Sequence, residues 1–387
     1  MHIAILTATL LGAIGLFGVE AAVPEQQEVF LAGQGGYHTY RIPALIVTKN
    51  NTLLAFCEGR KNSRSDTGDI DLLLRRSTDG GKTWGAQQVV WDDGPNTCGN
   101  PCPVVDEQTG TIWLLLTHNP GNTHEAQIKE RQPGGTRTVW VARSDDDGKT
   151  WSAPADITST TKEPGWGWYA TGPGVGIQVQ HGPHRGRLVI PCDHSYHRTD
   201  GAGEEGSVGN GSHVIYSDDQ GRTWKLGGTA RPHMNESQVA ELADGKGTLL
   251  LNMRTTSRTG RRGQSLSRDG GLTWTAPAFQ PELVEPRCQA SLLRHSWPEG
   301  ERSGRILFSN PAGVGRTNLT VRVSLDDGKT WPVARTLNKA HSAYSCLAVL
   351  PDGSIGCLYE RGRANPYQQI TFARFSLAWL STSGGSR

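Results

Sequence analysis

The sequence predicts an all-β fold, a six-bladed β-propeller of four-stranded antiparallel sheets. Three observations lead to this prediction: one short pattern recurs five times, its copies are evenly spread, and amphipathic helices are scarce. The chain has 387 residues with 49 Gly and 12 Trp, a composition that suits many tight turns and aromatic side chains between sheets. Because repeated units pack only on their neighbours, a chain longer than most domains can form one ring.

The recurring pattern is Ser-x-Asp-x-Gly-x-Thr-Trp. An Asp followed two residues later by Gly is typical of tight hairpins, because Asp accepts hydrogen bonds from backbone amides and Gly adopts a positive φ. The Trp that follows can pack as an apolar plug between neighbouring units. We therefore expect the copies to be structural hairpins rather than the site of chemistry. They begin at Ser77, Ser144, Ser217, Ser267 and Ser324.

The spacing of the copies predicts the number of units. From the first copy to the last is 247 residues over four intervals, a mean of about 62. Residues 22–387 are long enough for about six such units, and long repeats of this kind are typical of propellers. The sixth unit lacks a full copy. We expect it to close the ring by pairing a strand near residues 28–31 with strands near residues 370–377.

The N-terminus resembles an export signal. An apolar run at residues 3–19 is followed by the small residues Ala21 and Ala22, as at a signal-peptide cleavage site. The run is shorter than the roughly 20 residues that a membrane span needs. We expect a signal peptide at residues 1–21, a propeller at residues 22–387, and a secreted or periplasmic protein with no stable membrane insertion. A buried N-terminal helix is the alternative.

The net charge of the chain bears on whether it binds nucleic acid. A formal net charge of +2 gives no broad field for nucleic acid, so we expect no nucleic-acid partner.

Seven cysteines are present, so at least one stays unpaired within a monomer. Cys98 and Cys102 are candidates for a local disulfide after export. No second closely spaced Cys or His pair completes a zinc site, and we expect neither metal nor cofactor.

A resemblance to a known family enters with the segment Tyr40-Arg41-Ile42-Pro43-Ala44. Together with the five repeats, known as Asp boxes, it resembles the exo-α-sialidase (neuraminidase) glycoside hydrolases. Asp boxes alone occur in unrelated propellers, but Tyr-Arg-Ile-Pro upstream of five of them is specific. Further matching segments are residues 58–60, 68–71, 168–174, 318–322 and 343–347. The resemblance implies hydrolysis of terminal sialic acid on sialylated glycans, glycoproteins or glycolipids.

The resemblance also implies a set of arginines. Arg41, Arg254 and Arg316 match the three that bind the substrate carboxylate, and Arg60 matches a further substrate contact. Guanidinium groups bind carboxylates through paired, charge-assisted hydrogen bonds. Three converging arginines repel one another and are hard to explain without a bound anion. Arg322 competes with Arg316, but it lies in the strand leading into the fifth Asp box.

The nucleophile that the resemblance implies is Tyr344. Sialic acid bears a carboxylate on the carbon that is attacked, which would repel a carboxylate nucleophile but not a neutral phenol; sialidases are the tyrosine exception among glycosidases. A phenol with a pKa of about 10 needs a base. We assign that base to Glu241, which follows Val-Ala in a strand-like segment, and Glu236 is the local competitor.

The acid is expected on the loop after Arg60. Asp66 fits best by its distance from Arg60, and its role would be to protonate the leaving oxygen and then activate water. Asp69 and Asp71 are the alternatives, which we expect to pair with turn amides or neighbouring basic groups. The mechanism implied is a double displacement that retains configuration through a tyrosyl-enzyme intermediate.

Two alternative functions stay open at this point. A trans-sialidase or an intramolecular trans-sialidase would use the same residues and pass the sugar to another acceptor. A non-catalytic Asp-box propeller would only bind glycans. The presence of Tyr344, Glu241 and Asp66 beside the arginines argues against the non-catalytic alternative, whereas the sequence does not separate hydrolysis from transfer.

Overall fold

A computed structural model describes residues 22–199, 201 and 203–381. The expected signal peptide at residues 1–21 lies outside this range. Within it the fold is all-β, as predicted, with 24 strands and three short helices. No helix of the described residues combines the length and the hydropathy needed to cross a membrane.

The strands follow one another with few interruptions. The first half of the chain contains β1 (Glu25–Leu31), β2 (Thr39–Val47), β3 (Leu53–Arg60), β4 (Ile70–Ser77), β5 (Gln88–Trp91), β6 (Thr97–Val105), β7 (Ile112–Asn119), α1 (Glu125–Lys129), β8 (Thr138–Ser144), β9 (Ala155–Asp156), α2 (Thr158–Thr161), β10 (Trp166–Thr171), β11 (Ile177–Gln178) and β12 (Leu188–His197). The second half contains β13 (Val208–Ser217), β14 (Lys225–Ala230), β15 (Met234–Glu241), β16 (Leu249–Thr255), β17 (Arg261–Ser267), β18 (Ala278–Val284), β19 (Ser291–Ser296), β20 (Arg305–Pro311), β21 (Thr317–Ser324), β22 (Val333–Val349), β23 (Ile355–Gly362), β24 (Gln369–Phe375) and α3 (Leu377–Ser381).

Antiparallel meanders make up the four sheets. β2–β5 and β6–β9 are joined into one sheet only by a parallel bridge between Ile70 and Thr97. β10–β14 and β15–β18 form a sheet each. In the last sheet the long β22 pairs with β21 over its first part and with β23 over its second, so it belongs to two successive meanders.

The first and last strands of the described chain pair with each other. β1 pairs antiparallel with β24, with Leu31 opposite Gln369 and Glu25 opposite Arg374. This pairing confirms the predicted closure by a terminal strand. The strands β2, β6, β12, β15, β19 and β22 also contact one another in a closed circuit, so side chains from distant segments of the chain meet around one axis.

Each Asp box is a side-chain-capped turn, as predicted. In the second copy, Asp146 accepts hydrogen bonds from the Thr150 amide (2.8 Å), the Thr150 hydroxyl (2.5 Å) and the Ser144 hydroxyl (2.8 Å). The Gly148 amide donates to Ser144 Oγ at 2.9 Å. These bonds, chiefly that of the Thr150 hydroxyl, lower the pKa of Asp146 to about 2, because they stabilise the carboxylate.

The glycine of each Asp box packs against the preceding meander. Gly221 has φ +89°, and a Cβ built there would lie 2.2 Å from the Trp113 ring on β7. The equivalent glycines approach the side chains of Phe372, Leu54, Val214 and Leu250. The repeat is therefore an interface between neighbouring meanders as well as a turn, and both roles require glycine.

The seven cysteines are all buried and unpaired. Cys98 and Cys102 lie on one strand, opposite His118 and Leu115 of β7. Four residues along a strand span about 13 Å, well beyond the Cα separation of a disulfide. The local disulfide considered from the sequence is therefore absent, and these thiols serve as small core side chains.

We predict that Gly221→Ala destabilises the fold far more than Gly245→Ala. Both glycines have positive φ, but a Cβ at Gly245 would meet nothing within 4 Å. The control should lose about 1 kcal/mol of unfolding free energy from left-handed strain alone. Gly221→Ala should lose about 3 kcal/mol or more, because overpacking against Trp113 is added. Denaturant unfolding of both variants measures the difference, and equal losses would contradict the interface role.

Candidate active site

A cavity of about 350 Å³ opens near the N-terminal ends of β2 and β15, each the first strand of a meander. Its volume suits a small ligand such as one sugar unit. Six of the seven predicted site residues line it: Arg41, Arg60, Asp66, Arg254, Arg316 and Tyr344. The structure thus brings together residues that are up to about 300 positions apart in the sequence, and it does not include Glu241 among them.

Tyr344 lies at the centre of the cavity with Glu236. The Tyr344 hydroxyl donates a very short hydrogen bond to Glu236 Oε1, and Arg254 Nη1 lies 3.2 Å from the same hydroxyl. Burial raises the pKa of the Tyr344 phenol well above its usual value, and the charge of Glu236 raises it further, against the three guanidinium groups. The phenol is therefore neutral at neutral pH, with a carboxylate in place to take its proton.

The prediction that Glu241 is the group beside Tyr344 is wrong. Glu241 is buried at the other end of β15, where it accepts hydrogen bonds from the amides of Gln180 (2.6 Å) and His181 (2.9 Å). Five residues of strand separate it from Glu236, which is about 17 Å at 3.3 Å per residue. Its carboxylate caps a turn at the end of β15 that lies away from the cavity.

The hairpin register contains the signal that identifies Glu236. Glu241 pairs with Leu249 and Gln238 with Asn252 across β15 and β16. The register shifts between Met234 and Ser237, and within this irregular end of the hairpin position 236 lies close to Arg254, an arginine already predicted for the site. Glu236 Oε2 indeed forms an ion pair with Arg254 Nη1 at 2.7 Å.

Arg41 has a buried carboxylate partner that the sequence reasoning missed. Its Nε donates to Glu360 Oε1 at 2.8 Å, and the amide of Ile42 donates to the same oxygen at 2.9 Å. Glu360 Oε2 accepts from the Tyr344 amide at 3.1 Å. Glu360 thus fixes both Arg41 and the backbone of Tyr344. Its signal is a lone glutamate ending the apolar run of β23, where a buried charge needs a partner.

Arg316 is held by neutral groups. Its Nη1 donates to the Tyr367 hydroxyl at 2.8 Å, and its Nη2 donates to the Arg287 carbonyl at 3.0 Å. Tyr367 also places its ring 4.3 Å from the Arg41 guanidinium carbon. Sequence reasoning did not single out Tyr367, which follows a polar loop with no motif of its own.

Asp66 is at the mouth of the cavity with Arg60. Its Oδ1 lies 2.7 Å from Arg60 Nη1 and 3.7 Å from Arg41 Nη1, and its side chain is 61 % exposed. Desolvation raises the pKa of Asp66, but Arg60 and Arg41 outweigh it and hold the pKa below its usual value. The alternatives Asp69 and Asp71 instead pair with Lys61 at 3.0 and 3.1 Å and do not line the cavity.

Another buried guanidinium, that of Arg137, lines the same cavity. Arg137 donates to Asn100 Oδ1 (2.6 Å) and to Thr117 Oγ1 (3.0 Å), and the Trp168 ring covers it at 4.2 Å. Nearby, burial raises the pKa of Asp193 well above its usual value, and the charge of Glu236 adds to it. Asp193, which lines the cavity, is therefore biased towards its neutral form. Neither residue was predicted, because neither belongs to a motif.

This arrangement has a definite chemical capacity. The cluster of Arg41, Arg254 and Arg316 suits a carboxylate or another planar anion. The Tyr344–Glu236 pair has the arrangement of a nucleophile beside its base in covalent mechanisms. Asp66, which lies near Arg41 and Arg60, is a further carboxyl group that solvent reaches. The cavity can therefore bind a small anion and cleave a bond at the atom beside its charge.

Comparison with known proteins agrees with this chemistry. Residues 51–357 match the family model described as a BNR repeat-like domain. The chain is 37 % identical over 367 residues to a sialidase of Micromonospora viridifaciens, covering 92 % of this chain and 54 % of that protein. It is 35 % identical over 354 residues to a sialidase of Bacteroides fragilis, covering 86 % of this chain and 62 % of that protein. An exo-alpha-sialidase of Aspergillus fumigatus is 32 % identical, covering 89 % of this chain and 86 % of that protein.

Two solved structures with a similar fold are named as a sialidase and a trans-sialidase. The Hadza microbial sialidase Hz136 superposes with a TM-score of 0.78 at 34 % identity, covering 92 % of this chain and 69 % of that one. A leech intramolecular trans-sialidase complexed with 2,7-anhydro-Neu5Ac superposes with a TM-score of 0.79 at 20 % identity, covering 94 % of this chain and 71 % of that one. At that identity the second likeness concerns the fold alone.

Proposed function

We propose that this chain, which belongs to the sialidase family, is an exo-α-sialidase that hydrolyses terminal sialic acid from glycoconjugates. The observation that supports this most is the convergence of three arginines around the Tyr344–Glu236 pair in one cavity. The names of the relatives point the same way. The chain spans only 54 % and 62 % of the two bacterial relatives, so the activity of the whole protein is part of the proposal.

We also propose that the four sheets divide into six blades of a propeller. Support comes from the closed circuit of six strands around one axis and from the pairing of β1 with β24. In this division β22 contributes its first part to the fifth blade and its second part to the sixth. Export directed by residues 1–21, and hence a secreted or periplasmic location, belongs to the same proposal.

Substrate binding would begin with the carboxylate of the sugar. Arg41, Arg254 and Arg316 would each donate to it, and the anion would relieve the repulsion among the three guanidinium groups. This places the anomeric carbon, which bears the carboxylate, next to Tyr344. Binding energy from the charged end of the sugar is thereby used to hold the reacting carbon near the nucleophile.

In the first step, the Tyr344 oxygen would attack the anomeric carbon while its proton passes to Glu236. The bond from that carbon to the glycosidic oxygen breaks, and Asp66 protonates the departing oxygen. The products are the free aglycone and a sialyl group joined by its anomeric carbon to the Tyr344 oxygen, an aryl glycoside that is the tyrosyl-enzyme intermediate. Because Tyr344 is neutral before attack, it does not repel the substrate carboxylate.

In the second step, water would attack the anomeric carbon and return its proton to Asp66. The bond to Tyr344 breaks, and Glu236 returns the proton to the phenol. Two inversions give net retention of configuration. No step needs a metal or an organic cofactor, since each proton has a donor and an acceptor in the cavity.

The protonation of Asp66 depends on the bound substrate in this scheme. In the free protein, Arg60 and Arg41 hold the pKa of Asp66 below its usual value, so it is ionised at neutral pH. A substrate carboxylate at Arg41 offsets part of that positive charge and raises the pKa of Asp66. The acid is thus prepared by the same anion that the arginines recognise.

Product analysis tests the proposed function directly. Purified protein incubated with a defined α-sialoside should release free sialic acid, and NMR should detect the α-anomer before mutarotation. A β-anomer formed first would contradict the double displacement. A 2,7-anhydro product or a sialylated acceptor would show transfer in place of hydrolysis.

We predict that Glu236→Gln lowers kcat on a sialoside by about 100-fold or more, because general-base assistance to the phenol is worth that much. The matched control Glu241→Gln loses one of the two acceptors that face the amides of Gln180 and His181, but it should keep kcat within about twofold because position 241 does not line the cavity. Steady-state kinetics of both variants checks this. A larger loss in the Glu241 variant would reinstate the assignment made from the sequence.

Asp66→Ala should affect substrates according to their leaving group. With 3′-sialyllactose, whose leaving oxygen needs a proton, we expect kcat/KM to fall by about 100-fold or more. With an activated aryl sialoside the loss should be under about tenfold. The control Asp69→Ala, which removes only a partner of Lys61, should affect both substrates equally; equal losses in the Asp66 variant would argue against an acid role.

A further inference from the structure

The three arginines of the cluster differ in how their charges are offset. Arg41 has the buried Glu360 at 2.8 Å, and Arg254 has Glu236 at 2.7 Å. Arg316 makes no ion pair with any residue in the described ranges 22–199, 201 and 203–381. Two of the three guanidinium groups are therefore largely neutralised before an anion arrives, and the uncompensated positive charge lies on Arg316.

The contacts of Arg316 orient it without neutralising it. The Tyr367 hydroxyl and the Arg287 carbonyl accept its hydrogen bonds at 2.8 and 3.0 Å, and both are neutral acceptors. A neutral acceptor satisfies an N–H group of a guanidinium but leaves the net charge available to a ligand. Arg316 has no carboxylate partner among the described residues, so its direction depends on these two bonds and on the Tyr344 ring, whose centre lies 5.4 Å from the guanidinium carbon.

Tyr367 contacts Arg41 as well. Its ring lies 4.3 Å from the Arg41 guanidinium carbon, within the range of a cation–π interaction. One side chain therefore bonds Arg316 through its hydroxyl and stacks on Arg41 through its ring. It separates two like charges and sets the distance between two of the three groups that an anion would bridge.

The loop that bears Tyr367 is internally bonded. The Tyr367 amide donates to Asn365 Oδ1 at 2.9 Å. Gln368 Oε1 accepts from the amides of Arg363 (2.6 Å) and Ala364 (2.9 Å). These local bonds hold the short connection between β23 and β24 in one conformation, so the tyrosine is in position before any ligand binds.

We propose that Tyr367 is a positioning residue that holds Arg316 ready for the substrate carboxylate. Acting through Arg316, it controls the affinity for carboxylate-bearing ligands and leaves the rate of bond cleavage nearly unchanged. The inference deepens the proposed function and rests on it for the identity of the ligand, a sialic acid derivative. The contacts of Tyr367 with both arginines are made within the protein and do not depend on that identity.

The test compares Tyr367→Phe with Tyr367→Leu. The phenylalanine keeps the ring on Arg41 and loses only the bond to Arg316, whereas the leucine loses both. For 2,3-didehydro-2-deoxy-sialic acid, a carboxylate-bearing inhibitor, we expect the inhibition constant to rise about tenfold in Tyr367→Phe, or about 1.4 kcal/mol. Tyr367→Leu should raise it several-fold more. In Tyr367→Phe, KM should rise similarly while kcat stays within about twofold.

A double-mutant cycle separates positioning from a structural role. In an Arg316→Ala background, Tyr367→Phe should change the inhibition constant by less than about twofold, because the group it positions is gone. The control Tyr216→Phe, on β13 beside the third Asp box, removes a hydroxyl outside the cavity and should leave inhibition and turnover unchanged. Thermal unfolding of all variants should match that of the wild type.

Three outcomes would overturn the proposal. They are an unchanged inhibition constant in Tyr367→Phe, a loss confined to kcat, or an effect that persists in the Arg316→Ala background. Failure of the proposed function is distinguishable, because it appears in the wild type as an absence of sialic acid release. In that case, calorimetric binding of the same inhibitor to wild type and Tyr367→Phe still measures whether Tyr367 sets the affinity for the carboxylate.

Discussion

Repulsion among three guanidinium groups in one cavity is the constraint on which the rest of the site depends. Arg41, Arg254 and Arg316 would move apart in an unsupported chain, because like charges in a partly desolvated cavity interact strongly. Glu360 and Glu236 offset two of the charges. Glu236 also accepts the hydrogen bond of the Tyr344 hydroxyl, so the carboxylate that offsets the charge of Arg254 is also the proposed base for Tyr344.

The fold meets this constraint by supplying rigid positions from distant segments. Arg41 lies on β2, Glu236 and Arg254 on the paired strands β15 and β16, and Tyr344 on β22. These strands meet around one axis because the meanders form a closed series through β1 and β24. β2 and β15 each pair with one neighbouring strand and β22 pairs with two, so these backbone hydrogen bonds restrain the charged side chains more than a loop would.

The residues predicted by motif and those that were missed differ in the kind of information they need. Arg41 and Tyr344 stand in short segments with a recognisable pattern, and the structure brings both to the cavity. Glu241 also matched a local pattern, but it lies at the wrong end of its strand, about 17 Å from Glu236. A period-two strand pattern shows which face a residue occupies, whereas the end of the strand nearest the site depends on the hairpin register.

What the sequence by itself determined is the local architecture. Each Asp box contains its own hydrogen-bond donors, acceptors and glycine within eight residues, so its turn, the all-β class and the terminal closure were predictable. Only the tertiary structure decided which carboxylate meets Tyr344 and that Glu360 fixes Arg41. It also decided that Arg316 is held by the neutral hydroxyl of Tyr367, which leaves its positive charge without a carboxylate among the described residues. Those contacts join positions 51–319 residues apart, and their geometry depends on how whole sheets pack rather than on any neighbouring residues.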